Sequence, residues 1–328
     1  MERGVYMKHR ILIMTCCLFV GVVSLAAVAY AATKPVVFVE PDAGSAPVLA
    51  FIQSAKKSLD VVDFHLDSFP IEQALVSAHA HGVRVRVLLN LATATQPAPD
   101  NQPTYNYLSA HGVDIEWGSP NVAYTHEKSM VEDGKQALIL TGNLVPWDLA
   151  HSRDIGFIDK DAADVSAIES GFVIDWNREA STPSAGSHLV WSPGANTSLI
   201  ALINDAKHSL QIYNEELSDW QIIDALSAAA KRGVSVQLIM TYQASWKSAF
   251  EALKSAGAGI RTFDSAAPIY IHAKVIVADN SQVFLGSQNF SYTSLKKNRE
   301  LGVIVTTKSV RQAVQKVFAA DWSKATAF

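Results

Sequence analysis

The chain has 328 residues, of which 49% are hydrophobic and 18% charged, and a formal net charge of −4. That composition excludes a disordered chain and leaves room for one large domain or two of ordinary size. The acidic balance weighs against a general nucleic-acid binder, whose affinity comes from neutralising phosphates, although a local basic groove can sit on an acidic body.

At the N-terminus, Lys8, His9 and Arg10 precede an almost unbroken apolar run over residues 11–28. Ala27-Val28-Ala29 and Ala29-Tyr30-Ala31 each offer an A-x-A cleavage site. Residues 1–31 are therefore expected to form an export signal, which directs the protein to the periplasm or outside the cell. The competing expectation is an uncleaved membrane anchor, because the apolar stretch is long enough to span a bilayer. Cys16 and Cys17, the only cysteines, both lie in this leader. The remainder then has no disulfide and no thiolate metal site. Losing the leader removes three of the 27 basic residues and one of the 31 acidic ones, which leaves 24 against 30 and a net charge of −6.

A first lobe is expected over residues 33–177. Strands are predicted over 36–39, 59–64 and 84–89, with an amphipathic helix after the first and a second helix closed at Gly82. Residues 178–187 have the Ser, Thr, Ala, Pro and Gly content of a linker. A second lobe, 188–328, repeats the series with strands over 189–191, 210–215 and 235–240 and a helix closed at Gly233. Residues 46–90 overlie 197–241 without a gap at an offset of 151. Further on the offset is 146: His126, Lys128, Asp133, Asn143, Arg153, Asp175 and Trp176 match His272, Lys274, Asp279, Asn289, Arg299, Asp321 and Trp322. A period this long denotes a duplicated domain. The predicted class is α/β, with two similar lobes that each hold a mixed sheet flanked by helices.

Strand-like alternation puts His126 with Lys128, and His272 with Lys274, on one face. Asp133-Gly134 and Asp279-Asn280 read as two-residue hairpin turns, which assigns Asp133 and Asp279 a structural role. Returning strands would then set Thr141 opposite His126 and Ser287 opposite His272, with Asn143 and Asn289 two residues on. Imidazole, ammonium, hydroxyl and carboxamide together suit a phosphate, which needs donors, positive charge and a nitrogen able to attack or to shuttle protons.

The H-x-K-x4-D pattern, followed by Thr141-Gly142-Asn143 or Ser287-Gln288-Asn289 and then an acid, resembles the signature of the phospholipase D superfamily, here present twice. The resemblance covers the chain beyond the leader and implies a pseudo-twofold pair of lobes with one active site between them. It implies that Asp154 and Glu300 orient neighbouring histidines by hydrogen bonds. It also implies a two-step displacement in which His126 attacks phosphorus while His272 gives a proton to the leaving alcohol and then activates water. Lys128, Lys274, Asn143 and Asn289 would stabilise the charged transition state, so neither metal nor cofactor is implied.

Motif and fold imply phosphodiester chemistry without naming the alcohol. The first expectation is hydrolysis of phospholipid head groups to phosphatidic acid, with some transfer to alcohols. The alternatives are an endonuclease of the same superfamily acting on DNA or RNA and a cardiolipin-synthase-like phosphatidyl transferase. Pro146-Trp147 and Lys296-Lys297 are the candidates for transient contact with a membrane surface, against rim packing and a solvated turn. A monomer is expected, because one chain supplies both halves that single-motif relatives obtain by dimerising.

Overall fold

The computed structural model describes Met1 and residues 37–92 and 98–328, so the expected leader, apart from Met1, lies outside the described residues. Short apolar runs become strands and the longer segments between them helices. The first half contains β1 (Val37–Glu40), α1 (Ala46–Ser54), β2 (Ser58–Asp63), α2 (Phe69–Ala80), β3 (Arg84–Leu89), α3 (Gln102–Ala110) and β4 (Asp114–Trp117). It continues with β5 (Ser129–Glu132), β6 (Gln136–Leu140), α4 (Pro146–His151), β7 (Ser152–Asp159) and α5 (Ala162–Trp176). The second half contains β8 (Leu189–Ser192), α6 (Ala195–Asp205), β9 (Ser209–Tyr213), α7 (Trp220–Lys231), β10 (Ser235–Thr241), α8 (Lys247–Ser255) and β11 (Gly259–Phe263). After it come β12 (Tyr270–Ile271), β13 (Lys274–Ala278), β14 (Gln282–Gly286), α9 (Tyr292–Lys296), β15 (Glu300–Val305), α10 (Lys308–Lys324) and β16 (Thr326–Ala327).

The helix ends follow local chemistry. Asp161 accepts from the amides of Ala163 and Asp164 and so caps α5; Asp219 does the same for Gln221 and Ile222 at the start of α7. Past α2 and α7 the chain turns at Gly82 (φ 87°) and Gly233 (φ 90°), a left-handed geometry that glycine adopts without a Cβ penalty.

The first sheet runs β1-β7-β6-β5-β2-β3-β4 and the second runs β8-β15-β14-β13-β9-β10-β11, with β16 on its outer edge. Each is mixed: the strands after the helical crossovers pair in parallel and the hairpin strands antiparallel. The two-lobed α/β fold read from the sequence is what the chain adopts. Its hairpins differ in register from the expectation. Ser129 pairs with Ile139 and Lys274 with Gly286, so the connections hold three residues, 133–135 and 279–281, not two. Asp133 and Asp279 are left-handed (φ 53° and 51°), a conformation that a short polar side chain tolerates, and the longer loop follows.

Two outer apolar cores lie under α1–α3 and under α6–α8. A third is shared by both halves: Ile139, Phe157 and Ile168 pack with Val275, Leu285 and Phe318. The halves also exchange backbone and charge. β12 pairs in parallel with the start of β7, Tyr270 against Ser152 and Ile271 against Arg153, while Thr125 bridges Arg299 in the mirrored position. Arg153 forms a bidentate pair with Asp321 at 2.7 and 3.1 Å, and Arg299 forms one with Asp175 at 2.7 and 3.0 Å, all four side chains being buried. These are the matched residues of the duplication, paired crosswise.

Candidate active site

The crosswise pairing of backbone is what aims the histidines. The His126 amide donates to the Arg299 carbonyl at 2.9 Å, and the His272 amide donates to the Arg153 carbonyl at 3.3 Å. Each imidazole therefore leaves its own half against the acid-bearing strand of the other. His126 Nδ1 lies 2.8 Å from Glu300 Oε2; His272 Nδ1 lies 3.0 and 3.1 Å from the two oxygens of Asp154. With Nδ1 engaged by the acid, chemistry falls to Nε2, which in His272 lies 3.3 Å from Glu215 Oε2. Both rings line one pocket together with Asn143 and Asn289.

The supporting groups divide between the acids and the lysines. Ser294 and Asn298 donate to Glu300 Oε1 at 2.6 and 2.9 Å, and Thr141 donates to Asp154 Oδ1 at 2.6 Å. The Lys128 ammonium donates to the His126 carbonyl at 2.8 Å and the Lys274 ammonium to Glu215 at 3.0 Å. Both lysines are buried, and burial pushes Lys128 down to about 8. Asn143 is held by Asp148 at 2.8 Å, and a Cβ at the neighbouring Gly142 would collide with the Asp154 carboxylate.

Charge separates the two histidines. Burial drives His126 down to about 4, with Glu300 opposing and Lys128 assisting, so the ring is neutral at pH 7. Burial also disfavours charge on His272, but the carboxylates of Asp154 and Glu215 outweigh it and raise that imidazole above its ordinary value. Burial would raise Glu300 and Glu215, but His126, Lys128 and the Ser294 hydroxyl around the first, and His272 and Lys274 around the second, outweigh it and hold both below the usual range. An imidazole kept neutral beside one whose charged form is favoured is an arrangement that can pair a nucleophile with a proton donor.

The sequence-derived set is thus sorted by the structure. His126, His272, Asn143 and Asn289 meet in the pocket, and Lys128 and Lys274 stand directly beside it. Thr141 and Ser287 do not face the histidines, as the two-residue turn required. In the observed register each hydroxyl instead accepts from the amide after the acid, Ile155 at 2.9 Å and Leu301 at 3.2 Å, and both side chains are fully buried. Asp133 and Asp279 sit at the far ends of the hairpins, where each carboxylate accepts three backbone amides, from Lys56, Lys57 and Ser58 or from Lys207, His208 and Ser209.

Sequence reasoning missed Glu215, Phe64, Asp148 and Tyr270. The available signal was a mismatch in the repeat: at the 151 offset Glu215 stands where the first half has Phe64. Among the described residues, Asp161, Asp164 and His188 have the spacing of a cation site, but Asp164 is spent on the amides of Ser187 and His188 and on the His188 ring. Beside the pocket, the ammonium groups of Lys128 and Lys274 stand near its carboxylates, a charge set that disfavours a divalent cation.

A family model described as "Cardiolipin synthase, PLD-like domain" matches residues 48–176 and 199–322. The cardiolipin synthase of Listeria innocua serovar 6a is 24% identical over 233 residues, 60% of this chain and 47% of that protein. Cardiolipin synthase 1 of Staphylococcus aureus is 25% identical over 215 residues, 56% of this chain and 42% of that one. The chain spans about half the length of the curated relatives it matches. In fold it is similar to phosphatidylserine synthase of Haemophilus influenzae, with a TM-score of 0.69 at 11% identity over 90% of this chain and 88% of that one. It is also similar to polyphosphate kinase of Porphyromonas gingivalis, with a TM-score of 0.67 at 16% identity over 88% of this chain and 47% of that one.

Proposed function

Because the chain belongs to the phospholipase D superfamily, matched in both halves by the PLD-like domain of cardiolipin synthases, we propose that it exchanges the alcohol of a phospholipid phosphodiester through a phosphohistidine. The observation that carries this reading is the pair of histidines in one pocket, each held at Nδ1 by the other half's acid, with burial favouring the neutral ring at His126 and two carboxylates favouring the charged ring at His272. His126 Nε2 attacks phosphorus and the P–O bond to the leaving alcohol breaks, with the proton on His272 going to that oxygen. An incoming alcohol then gives its proton to His272 and its oxygen displaces His126. Lys128, Lys274, Asn143 and Asn289 offer donors to the non-bridging oxygens.

The named relatives favour transfer to an alcohol over the hydrolysis expected first from the sequence. Hydrolysis is the second reading, supported by a pocket rich in Asn, Ser and Thr that admits water as acceptor. Product analysis after incubation with phosphatidylglycerol vesicles tests both: cardiolipin with glycerol means transfer, and phosphatidic acid means hydrolysis. Unchanged lipid with cleaved single-stranded DNA would support the nuclease alternative instead.

Lipid access fits the exposed aromatic residues near the pocket. Trp147, half-exposed, packs edge-on against Tyr270 at 5.8 Å. Tyr292 stands between the pocket residues Ser291 and Thr293, with the ammonium groups of Lys296 and Lys297 over its ring. Aromatic and basic side chains together suit a transient contact with an anionic bilayer surface. No described helix is long and apolar enough to cross a membrane. Vesicle co-sedimentation that is unchanged in a Trp147→Ala, Tyr292→Ala double variant would remove this contact from the proposal. Export by residues 1–31 and a monomeric state complete it; N-terminal sequencing and sedimentation read them out.

A further inference from the structure

The duplication makes the two half-sites alike, but one position differs in kind. In the first half the Phe64 ring lies edge-on to His126, 4.6 Å between centroids, and 5.2 Å from the Lys128 ammonium. In the second half its counterpart is Glu215. One oxygen of that carboxylate lies 3.0 Å from Lys274 Nζ, 3.3 Å from His272 Nε2 and 3.3 Å from the Asn289 amide nitrogen. Its other oxygen accepts from the Tyr270 hydroxyl at 3.3 Å. His272 is therefore bracketed by two carboxylates, Asp154 at Nδ1 and Glu215 at Nε2. His126 has one, Glu300, and an aromatic edge.

We propose that Glu215 is a positioning residue that assigns the proton-donor role to His272, and so leaves the nucleophile role to His126, by holding Nε2 of His272 in its N–H form. This inference rests on the phosphohistidine reading above. The groups facing His272 are Asp154 on β7, Glu215 after β9, Lys274 on β13 and Tyr270 on β12. Two anions against one ammonium favour the imidazolium, in line with the upward direction of its pKa. Around His126 burial prevails: Glu300 favours the charged ring, Lys128 opposes it, and Phe64 supplies no second anion. The same carboxylate carries a second consequence. It already binds the Lys274, Asn289 and His272 donors that a phosphate oxygen would use, so substrate shares those donors with it and meets its negative charge. Glu215 thus raises the chemical rate while weakening the binding of anions, a split that a purely structural residue would not produce.

Glu215→Gln keeps the size and removes the charge. NMR titration of the His272 ring in the full chain should find its midpoint about one unit lower than in the parent, with His126 moving less. On phosphatidylglycerol, whose alcohol needs a proton to leave, kcat should fall about tenfold or more. On bis(p-nitrophenyl) phosphate, whose alcohol leaves unaided, kcat should change less than about threefold, and KM should fall for both substrates. An unmoved His272 titration, or equal kcat losses on the two substrates, would overturn the proposal. If the parent protein forms no adduct on His126 with either substrate, the phosphohistidine reading itself fails, and the titration alone then decides whether Glu215 governs the charge of His272.

Discussion

Nδ1 of His126 and Oε2 of Glu300 lie 2.8 Å apart although 174 positions separate them in the chain. The mirrored contact, His272 to Asp154, spans 118 positions in the opposite sense. Each acid thus serves the histidine of the other half, and neither half can orient its own ring. Glu300→Ala should cost about 10²-fold or more in turnover by freeing His126, and Asp154→Ala should cost a similar factor through His272. With an activated aryl phosphodiester, Glu300→Ala should lose covalent labelling, while Asp154→Ala should retain it. Mass spectrometry of quenched protein reads the difference, and equal labelling of the two variants would contradict it.

Removing the histidines themselves separates the roles further. His126→Ala should abolish turnover and leave no adduct. His272→Ala should also be nearly inactive on phospholipid, yet accumulate a persistent adduct on His126 when the alcohol leaves unaided. An adduct mapped to His272 in the His126→Ala protein would reverse the assignment.

The pH profile of kcat/KM follows from the two shifted imidazoles. His126 must be neutral to attack, and burial holds it near 4, so the rate should rise with pH through about 4. His272 must be protonated to donate, and its raised pKa places the falling limb above the ordinary histidine value of about 6.5. A profile that already falls between pH 5 and 6 would be inconsistent with this arrangement.

Turnover should persist in excess EDTA. Lys128 and Lys274 already supply positive charge at the pocket, and its carboxylates are committed to histidines, lysine and hydroxyls. Loss of activity on chelation, restored by a divalent ion, would refute this.

Stability should depend on the crossed ion pairs. Asp321→Ala strands the buried guanidinium of Arg153 and also removes the partner of the Tyr213 hydroxyl at 2.7 Å. An uncompensated buried charge of this kind costs about 3–5 kcal/mol. Urea unfolding should register that loss, and Asp175→Ala, which strands Arg299, should behave alike.

The turn aspartates make a smaller, pH-dependent contribution. Burial opposes ionisation of Asp133, but the amides of Ser58, Lys57 and Lys56 outweigh it and hold the carboxyl below its ordinary value. The sign follows from that depression: the stabilisation is fully present above the unfolded value near 4 and is lost as pH falls through the folded one. Asp133→Asn should therefore cost about 1–2 kcal/mol at pH 7, and the gap to the parent protein should close in acid.

The sequence by itself determined the class of fold, the duplication and the histidines and asparagines that meet at the pocket. Periodic apolar runs and turn residues act locally, so β1, β2, β3 and their counterparts were legible to within a residue or two, and the repeated His, Lys and Asn marked both half-sites. Short strands such as β4 and β12 carry too few residues to show a period. Hairpin register was also out of reach, because the Asp133 side chain captures amides 75–77 positions away and the turn takes the length which that requires.

Only the tertiary structure decided which acid serves which histidine, because the pairing depends on how the two sheets close on their shared core and not on spacing along the chain. It likewise brought Glu215 onto His272 and Phe64 onto His126. A carboxylate at the end of a strand is unremarked in sequence, but beside a buried imidazole and ammonium it sets their charge. Contacts within one strand or turn are encoded by neighbours and can be read from them; contacts between distant strands exist only after the chain has folded.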